Sequence, residues 1–123
     1  MAQILVLSAG TGRQILPALE LLSHQVRFIP AEPASLVGAP SADLIFLDAC
    51  GDLNNAKNLA KILNTTGLSA PLVIIVNESG LAALSAEWGS ADFILNTAGP
   101  GEVDARIRLA LGRQAAMSMF PLA

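Results

Sequence analysis

A single cysteine, Cys50, is all that this 123-residue chain carries. That excludes an internal disulfide and a metal site built of cysteines. Charge is scarce as well: 14% of the residues are Asp, Glu, Lys or Arg, and the formal net charge is −3. Lys and Arg are nowhere gathered into a stripe, so the chain by itself is a poor candidate for gripping nucleic acid. No apolar run approaches the roughly 18 residues of a membrane span, so no membrane contact is expected. The first residues lead straight into a short apolar strand and lack the layout of a signal peptide, so a cytoplasmic location is expected. There is no internal repeat and no low-complexity segment.

What the chain has in excess is apolar residues, 53% of the total. Its length suits one domain rather than two and allows a core without covalent staples. Part of the excess fits a parallel sheet covered on both faces, whose strands read as unbroken apolar runs. The remainder points to a further apolar surface that a partner covers.

Asp43-Leu44-Ile45-Phe46-Leu47-Asp48 is the clearest of these runs and defines a third, central strand. Ile4 to Leu7 forms the first strand, Val26 to Ile29 the second, Leu72 to Val76 the fourth and Phe93 to Leu95 the fifth. Helical spacing predicts a helix from about Thr11 to Ser23, kinked or delayed by Pro17. Pro33 to Leu36 suits a short helix. Asp52 caps a helix whose stripe is Leu53, Ala56, Leu59, Ala60 and Leu63, stopped at Asn64 to Gly67. Leu81, Leu84 and Trp88 mark a fourth helix ended by Gly89. Gly99-Pro100 opens a fifth, with Glu102 and Asp104 in its electropositive first turns and Val103, Ile107, Ala110 and Leu111 on its apolar face. Gly112 is expected to stop it. Residues 1–113 then form one domain, and 114–123 a linker fragment or tail.

Strands alternating with helices imply a doubly wound α/β fold. A five-stranded parallel sheet of flavodoxin-like order 2-1-3-4-5 fits this length. Sites in such sheets lie at the carboxyl ends of the strands. That edge would gather Ser8, Ala9, Asp48, Val76, Asn77 and Asn96. There Asp48 is expected to be a partly buried carboxylate accepting hydrogen bonds from Ser8, Asn77 or Asn96 and from nearby backbone. Two enzyme-like readings compete with plainer ones. Gly10 and Gly12 match the first two glycines of a dinucleotide fingerprint, with Glu32 about where a ribose-binding acid would lie, but Ile15 occupies the third glycine position. A tight βα turn explains those glycines better, and a small nucleotide-binding domain is the alternative function. Cys50 and His24 fall on different elements and make a poor nucleophile and base. Trp88 suits the core better than a contact surface.

Trp88-Gly89-Ser90-Ala91-Asp92-Phe93-Ile94-Leu95-Asn96-Thr97 resembles the Gly-Ala-Asp-Asp-Tyr-Leu-Thr-Lys-Pro pattern of response-regulator receiver domains. Pro100 to Arg113 is similar to the last receiver helix of OmpR/PhoB-type transcription regulators, and Asp43 to Asp48 to their phosphoacceptor strand. Leu16-Pro17-Ala18-Leu19, Thr65-Thr66-Gly67, Trp88-Gly89 and Glu102-Val103-Asp104-Ala105-Arg106 resemble the receiver-like half of GlnR-type nitrogen regulators, an atypical branch. The resemblance implies a CheY-like fold and a bacterial transcription regulator, with nitrogen regulation as its field.

It also implies a phosphorylation site that this chain has lost. A working receiver holds Mg²⁺ with an acidic pair after the first strand, since a hard cation wants carboxylate oxygens. Ser8 and Ala9 stand there. Its hydroxyl after the fourth strand is replaced by Val76, followed by Asn77, and its lysine after the fifth by Asn96. Asp48 alone remains, as a structural residue rather than a phosphoacceptor. No catalysis, metal or cofactor is expected. The resemblance further implies a homodimer through helix 4, strand 5 and helix 5, using Leu81, Ala82, Ala86, Trp88, Asp92, Glu102, Arg106, Arg108 and Arg113, with Asp92 meeting Arg106 of the second subunit. DNA would be read only by a winged helix following the last helix, which this sequence does not contain.

Overall fold

The computed structural model describes residues 3–8, 24–36, 42–65, 70–90 and 92–119; of residues 36, 86 and 113–119 it describes the backbone alone. The expected helix from Thr11 to Ser23, with Ala9, Gly10 and Gly12 before and within it, lies outside the described residues.

Five parallel strands, β1 (Gln3–Leu7), β2 (Gln25–Ile29), β3 (Leu44–Asp48), β4 (Leu72–Val76) and β5 (Asp92–Leu95), form one sheet in the order β2-β1-β3-β4-β5. Each expected strand is present, with ends within a residue of the expectation. The apolar runs sort by the two-residue period of a strand. Ile4, Val6, Leu44, Phe46, Val73, Ile75 and Ile94 face one side, where they meet Val103, Ile107 and Ala110 of helix α2 (Pro100–Met119). Leu5, Leu7, Ile45, Leu47, Leu72, Ile74 and Val76 face the other, where Ala56, Leu59, Ala60 and Leu63 of helix α1 (Leu53–Thr65) cover them. This two-sided burial explains why β1, β3 and β4 have no polar alternation. β2, at the edge, has exposed positions and a charged residue, Arg27.

Asp52 caps α1 as expected, its Oδ1 accepting from the Asn55 amide at 3.0 Å. The short helix at Pro33 is present as a single 3-10 turn, Pro33–Leu36.

Two expectations are corrected. The fourth helix is not one α-helix; Glu78–Ala83 and Ala86–Trp88 are separate 3-10 turns. Between them Leu84 is extended, at φ −75° and ψ 138°. Asn77 shapes the first turn by accepting from both the Gly80 amide (3.0 Å) and the Ser79 hydroxyl (2.9 Å). Side chains three residues apart share a face in a 3-10 turn as in an α-helix, so the Leu81–Leu84 spacing does not distinguish them. The last helix does not stop at Gly112 but continues to Met119. A glycine ends a helix by adopting positive φ. Among the described residues only Gly89 does so, and Gly112 stays helical. Ala115 and Ala116 after it are strong helix formers.

Candidate functional site

At the carboxyl edge of the sheet, β3 delivers Asp48 beside the residue that follows β1. Ser8 is 3% exposed and is fixed there by its own amide, which donates to Ile29 O at 3.0 Å. Its hydroxyl donates to Asp48 Oδ2 at 3.1 Å. Asp48 Oδ1 accepts from the Cys50 amide at 2.8 Å. That bond, from a carboxylate to the amide two residues on, is an Asx-turn. Sequence reasoning anticipated backbone donors near Asp48 but did not name Cys50; the Asp-x-x-Gly spacing after a strand was the available signal. Both carboxylate oxygens of Asp48 are therefore engaged within the fold.

Asn77 closes the same loop from β4. Its Nδ2 approaches Cys50 O at 3.5 Å, while its Oδ1 serves the turn after β4. Asn77 thus braces the Asp48 turn through Cys50. Asn96 leaves β5 at this edge, its amide donating to Val76 O at 2.9 Å. Val76 does not line the crevice as expected. It is 0% exposed and belongs to the core under α1, because the strand period turns its side chain away from the Asp48 loop. Ala9 lies outside the described residues.

Cys50 is no nucleophile. Burial, followed by the charge of Asp48 and a hydrogen bond to it, pushes the thiol up to about 12. It stays protonated at neutral pH, and its Sγ donates weakly to Ile75 O at 3.7 Å. His24 is far from this chemistry; its Nε2 lies 3.7 Å from Asp104 Oδ1 on α2.

Replacing Asp48 by Ala removes the carboxylate that joins the Ser8 hydroxyl to the Cys50 amide and leaves that amide without its acceptor in a partly buried place. The expected loss is about 1–3 kcal/mol of unfolding free energy. Asp48→Asn keeps an acceptor and is expected to lose less. Urea melts measure both, and an alanine variant as stable as the parent would remove Asp48 from any structural duty.

The residues of the expected dimer surface are distributed less simply. Trp88 is 1% exposed, packed in the core against α1, with its indole Nε1 donating to Ala83 O at 2.9 Å. It is thereby removed from any surface, a correction that follows from its bulk turning inward. Leu81 is half-buried against the same core and Ala82 is exposed. The side chains of Ala86 and Arg113 lie outside the described residues. Asp92 and Arg106 are already paired within one chain: Nη1 of Arg106 lies 2.9 Å from Asp92 Oδ2, and Nε lies 3.3 Å from Glu102 Oε2. The Arg106 guanidinium also sits 5.6 Å from the centroid of the Phe93 ring. Arg108 pairs with Asp104 at 2.9 Å.

The order 2-1-3-4-5, the aspartate at the end of the third strand and helices on both faces define a receiver-like domain. The known structures agree. NtrX from Brucella abortus superimposes with a TM-score of 0.79 at 19% identity, over 96% of this chain and 28% of that one. The receiver domain of the Francisella response regulator 1452 gives 0.72 at 18% identity, over 92% of this chain and 98% of that one. The receiver domain of TorR, response regulator of the TMAO respiratory system, gives 0.71 at 19% identity, again over 92% and 98%. At such identities the likeness carries the fold alone, and this chain spans little more than a quarter of NtrX. Residues 1–111 match the model of the N-terminal domain of the transcription regulator GlnR, and the chain belongs to that family. No curated protein sequence matches it.

Receiver domains imply a divalent cation beside the aspartate, and the residues here do not fit one. One carboxylate faces the site, with both its oxygens bonded to donors, and a serine stands where an acid would bring a second. Among the described residues no three of His, Cys, Asp and Glu come together. No helix among the described residues is long and apolar enough to cross a membrane.

Proposed function

We propose that this domain is a phosphorylation-independent dimerisation module of a bacterial transcription regulator in the nitrogen response. It acts in the cytoplasm, without catalysis or cofactor, and the full protein meets DNA through a separate winged-helix domain. The observation that carries this reading is the engagement of Asp48. Its two oxygens hold Ser8 and Cys50, so the carboxylate ties the end of β1 to the loop after β3 in the unmodified protein. Acyl phosphate formation at Oδ2 would break the Ser8 bond. It would also build negative charge where neither a second acid for Mg²⁺ nor a lysine after β5 is present to offset it. Ser8 and the Cys50 amide thus hold the carboxylate in one arrangement. Family membership supports the regulatory setting, and the apolar excess of the chain supports a covered surface.

Incubation with acetyl phosphate, or with beryllofluoride, in the presence of Mg²⁺ is expected to leave the intact mass and the amide NMR shifts of the Asp48 loop unchanged. A stoichiometric phosphoryl adduct on Asp48 would overturn the reading.

A further inference from the structure

β2 is an edge strand. β1 pairs with it on one side, and among the described residues no strand pairs with it on the other. One bond fixes the direction of its backbone: Ile29 O accepts from the Ser8 amide at 3.0 Å, so the backbone groups of Ile29 point to β1. Those groups alternate along a strand. Gln25 and Arg27 therefore point theirs to β1 as well, while Val26 and Phe28 turn an N–H and a C=O outward. Pro30 closes the run. It has no N–H, and its carbonyl accepts from the Glu32 amide at 2.9 Å.

The side chains of this edge are open too. Phe28 is 41% exposed, and its register partner Val6 places it on the α2 side of the sheet. Arg27 is exposed on the α1 side, beside Leu5. Among the described residues Arg106 and Arg108 are paired with acids, and Arg27 is not.

Short length, a charge and a closing proline are the devices by which an edge avoids its own copies. Here the charge acts on one pairing in particular. A two-fold antiparallel pairing that uses the outward groups of both Val26 and Phe28 sets two Arg27 side chains directly opposite, a destabilising like-charge contact. An acid in that place turns the same contact into an attraction. The neighbours of that acid fall on the other side of the sheet, against Val26 and Phe28, where apolar side chains fit.

We propose that the outer edge of β2 receives an extended segment of another protein, in which an aspartate or glutamate opposite Arg27 is flanked by apolar residues against Val26 and Phe28. Main-chain bonds to Val26 and Phe28 supply the hold, and Arg27 supplies the selection. This edge lies at the far end of the sheet from β5, so the site does not depend on the dimerisation reading.

Titration of the isotopically labelled protein with capped peptides, followed by amide NMR shifts, tests the site. The probe reads threonine, valine, glutamate, valine, threonine. One control has lysine in place of glutamate, and a second is the probe with its backbone amides N-methylated. The expected result is a set of shifts confined to β2 and the adjoining part of β1, with the glutamate peptide binding about fivefold more tightly than the lysine peptide. The methylated peptide is expected not to bind. In Arg27→Glu the preference is expected to reverse. The Arg27 side chain is exposed, so the variant is expected to fold, which circular dichroism melts verify; the peptides on the parent carry the test without it. Equal binding of the glutamate and lysine peptides, binding of the methylated peptide, shifts centred on α2 or β5, or no binding at millimolar peptide would overturn the proposal. Shifts at Val26 and Phe28 that grow with the protein's own concentration, without peptide, would overturn it in favour of a second copy.

Discussion

Trp88→Ala is expected to cost roughly 3–5 kcal/mol of unfolding free energy, the range for removing a large aromatic side chain from a core. Trp88 is among the largest fully buried side chains of the molecule. It lies in the same cluster as Leu59, Ala60 and Leu63 of α1 and Ile74 and Val76 of β4. Its indole also satisfies Ala83 O, so truncation leaves both a cavity and a carbonyl without its donor. Two 3-10 turns have little stability of their own. The tryptophan is what anchors them to the body of the domain, helped by the exposed Lys57–Glu87 pair at 3.1 Å. That pair contributes only about 0.2–1 kcal/mol at the surface. Trp88→Phe keeps most of the apolar burial and loses the hydrogen bond, so it is expected to cost clearly less than alanine. Urea melts of the three proteins, with the slope compared as well as the midpoint, measure this. A loss below about 1 kcal/mol for the alanine variant would mean that the turns and α1 close over the cavity.

The sheet was legible because burial on both faces makes Ile4–Leu7, Leu44–Leu47 and Leu72–Val76 unbroken apolar runs, and that pattern has few other causes. The Asp48–Ser8 contact followed from it, since the strand order alone sets the ends of β1 and β3 side by side. Three features were not legible, each for a stated physical reason. Leu81 and Leu84, three residues apart, share a face on an α-helix and on a 3-10 turn alike, so the segment between β4 and β5 was ambiguous. Gly112 is the residue type of a helix stop, but a stop is a backbone conformation, and Gly112 keeps the helical one. Asp92 and Arg106 have opposite charges whether they meet in one chain or across two, and sequence alone does not distinguish the cases. Geometry does: β5 and α2 bring them to 2.9 Å within the monomer.

That closed pair changes the meaning of a charge reversal at Arg106. Arg106→Glu would repel Asp92 and Glu102 of its own chain before it could act on a neighbour, and would bare Phe93. Loss of association in that variant would not identify the partner of the ion pair.

Gly89→Ala is expected to cost about 2–4 kcal/mol, more than a glycine-to-alanine change costs in ordinary backbone. Gly89 has φ +65°, where an L side chain is strained by about 1–2 kcal/mol. Its Cβ would also run into the amide of Asn64, 2.8 Å from Cγ and 2.9 Å from Oδ1. Asn64 is the latch between α1 and this turn: Nδ2 donates to Ala60 O at 2.8 Å and to Trp88 O at 2.9 Å. A side-chain amide can swing away, so the backbone need not move, but the bond to Trp88 O is then lost. The two positions are therefore coupled, and a double-mutant cycle reads the coupling. Asn64→Ala alone is expected to cost about 1–2 kcal/mol through its two lost bonds. In that background the clash has been removed, and Gly89→Ala is expected to cost only the backbone strain, about 1–2 kcal/mol. Gly89→Asn tests the strain separately, since asparagine tolerates positive φ better than alanine yet still meets Asn64. Strictly additive effects in the cycle would mean that Asn64 does not hold the turn.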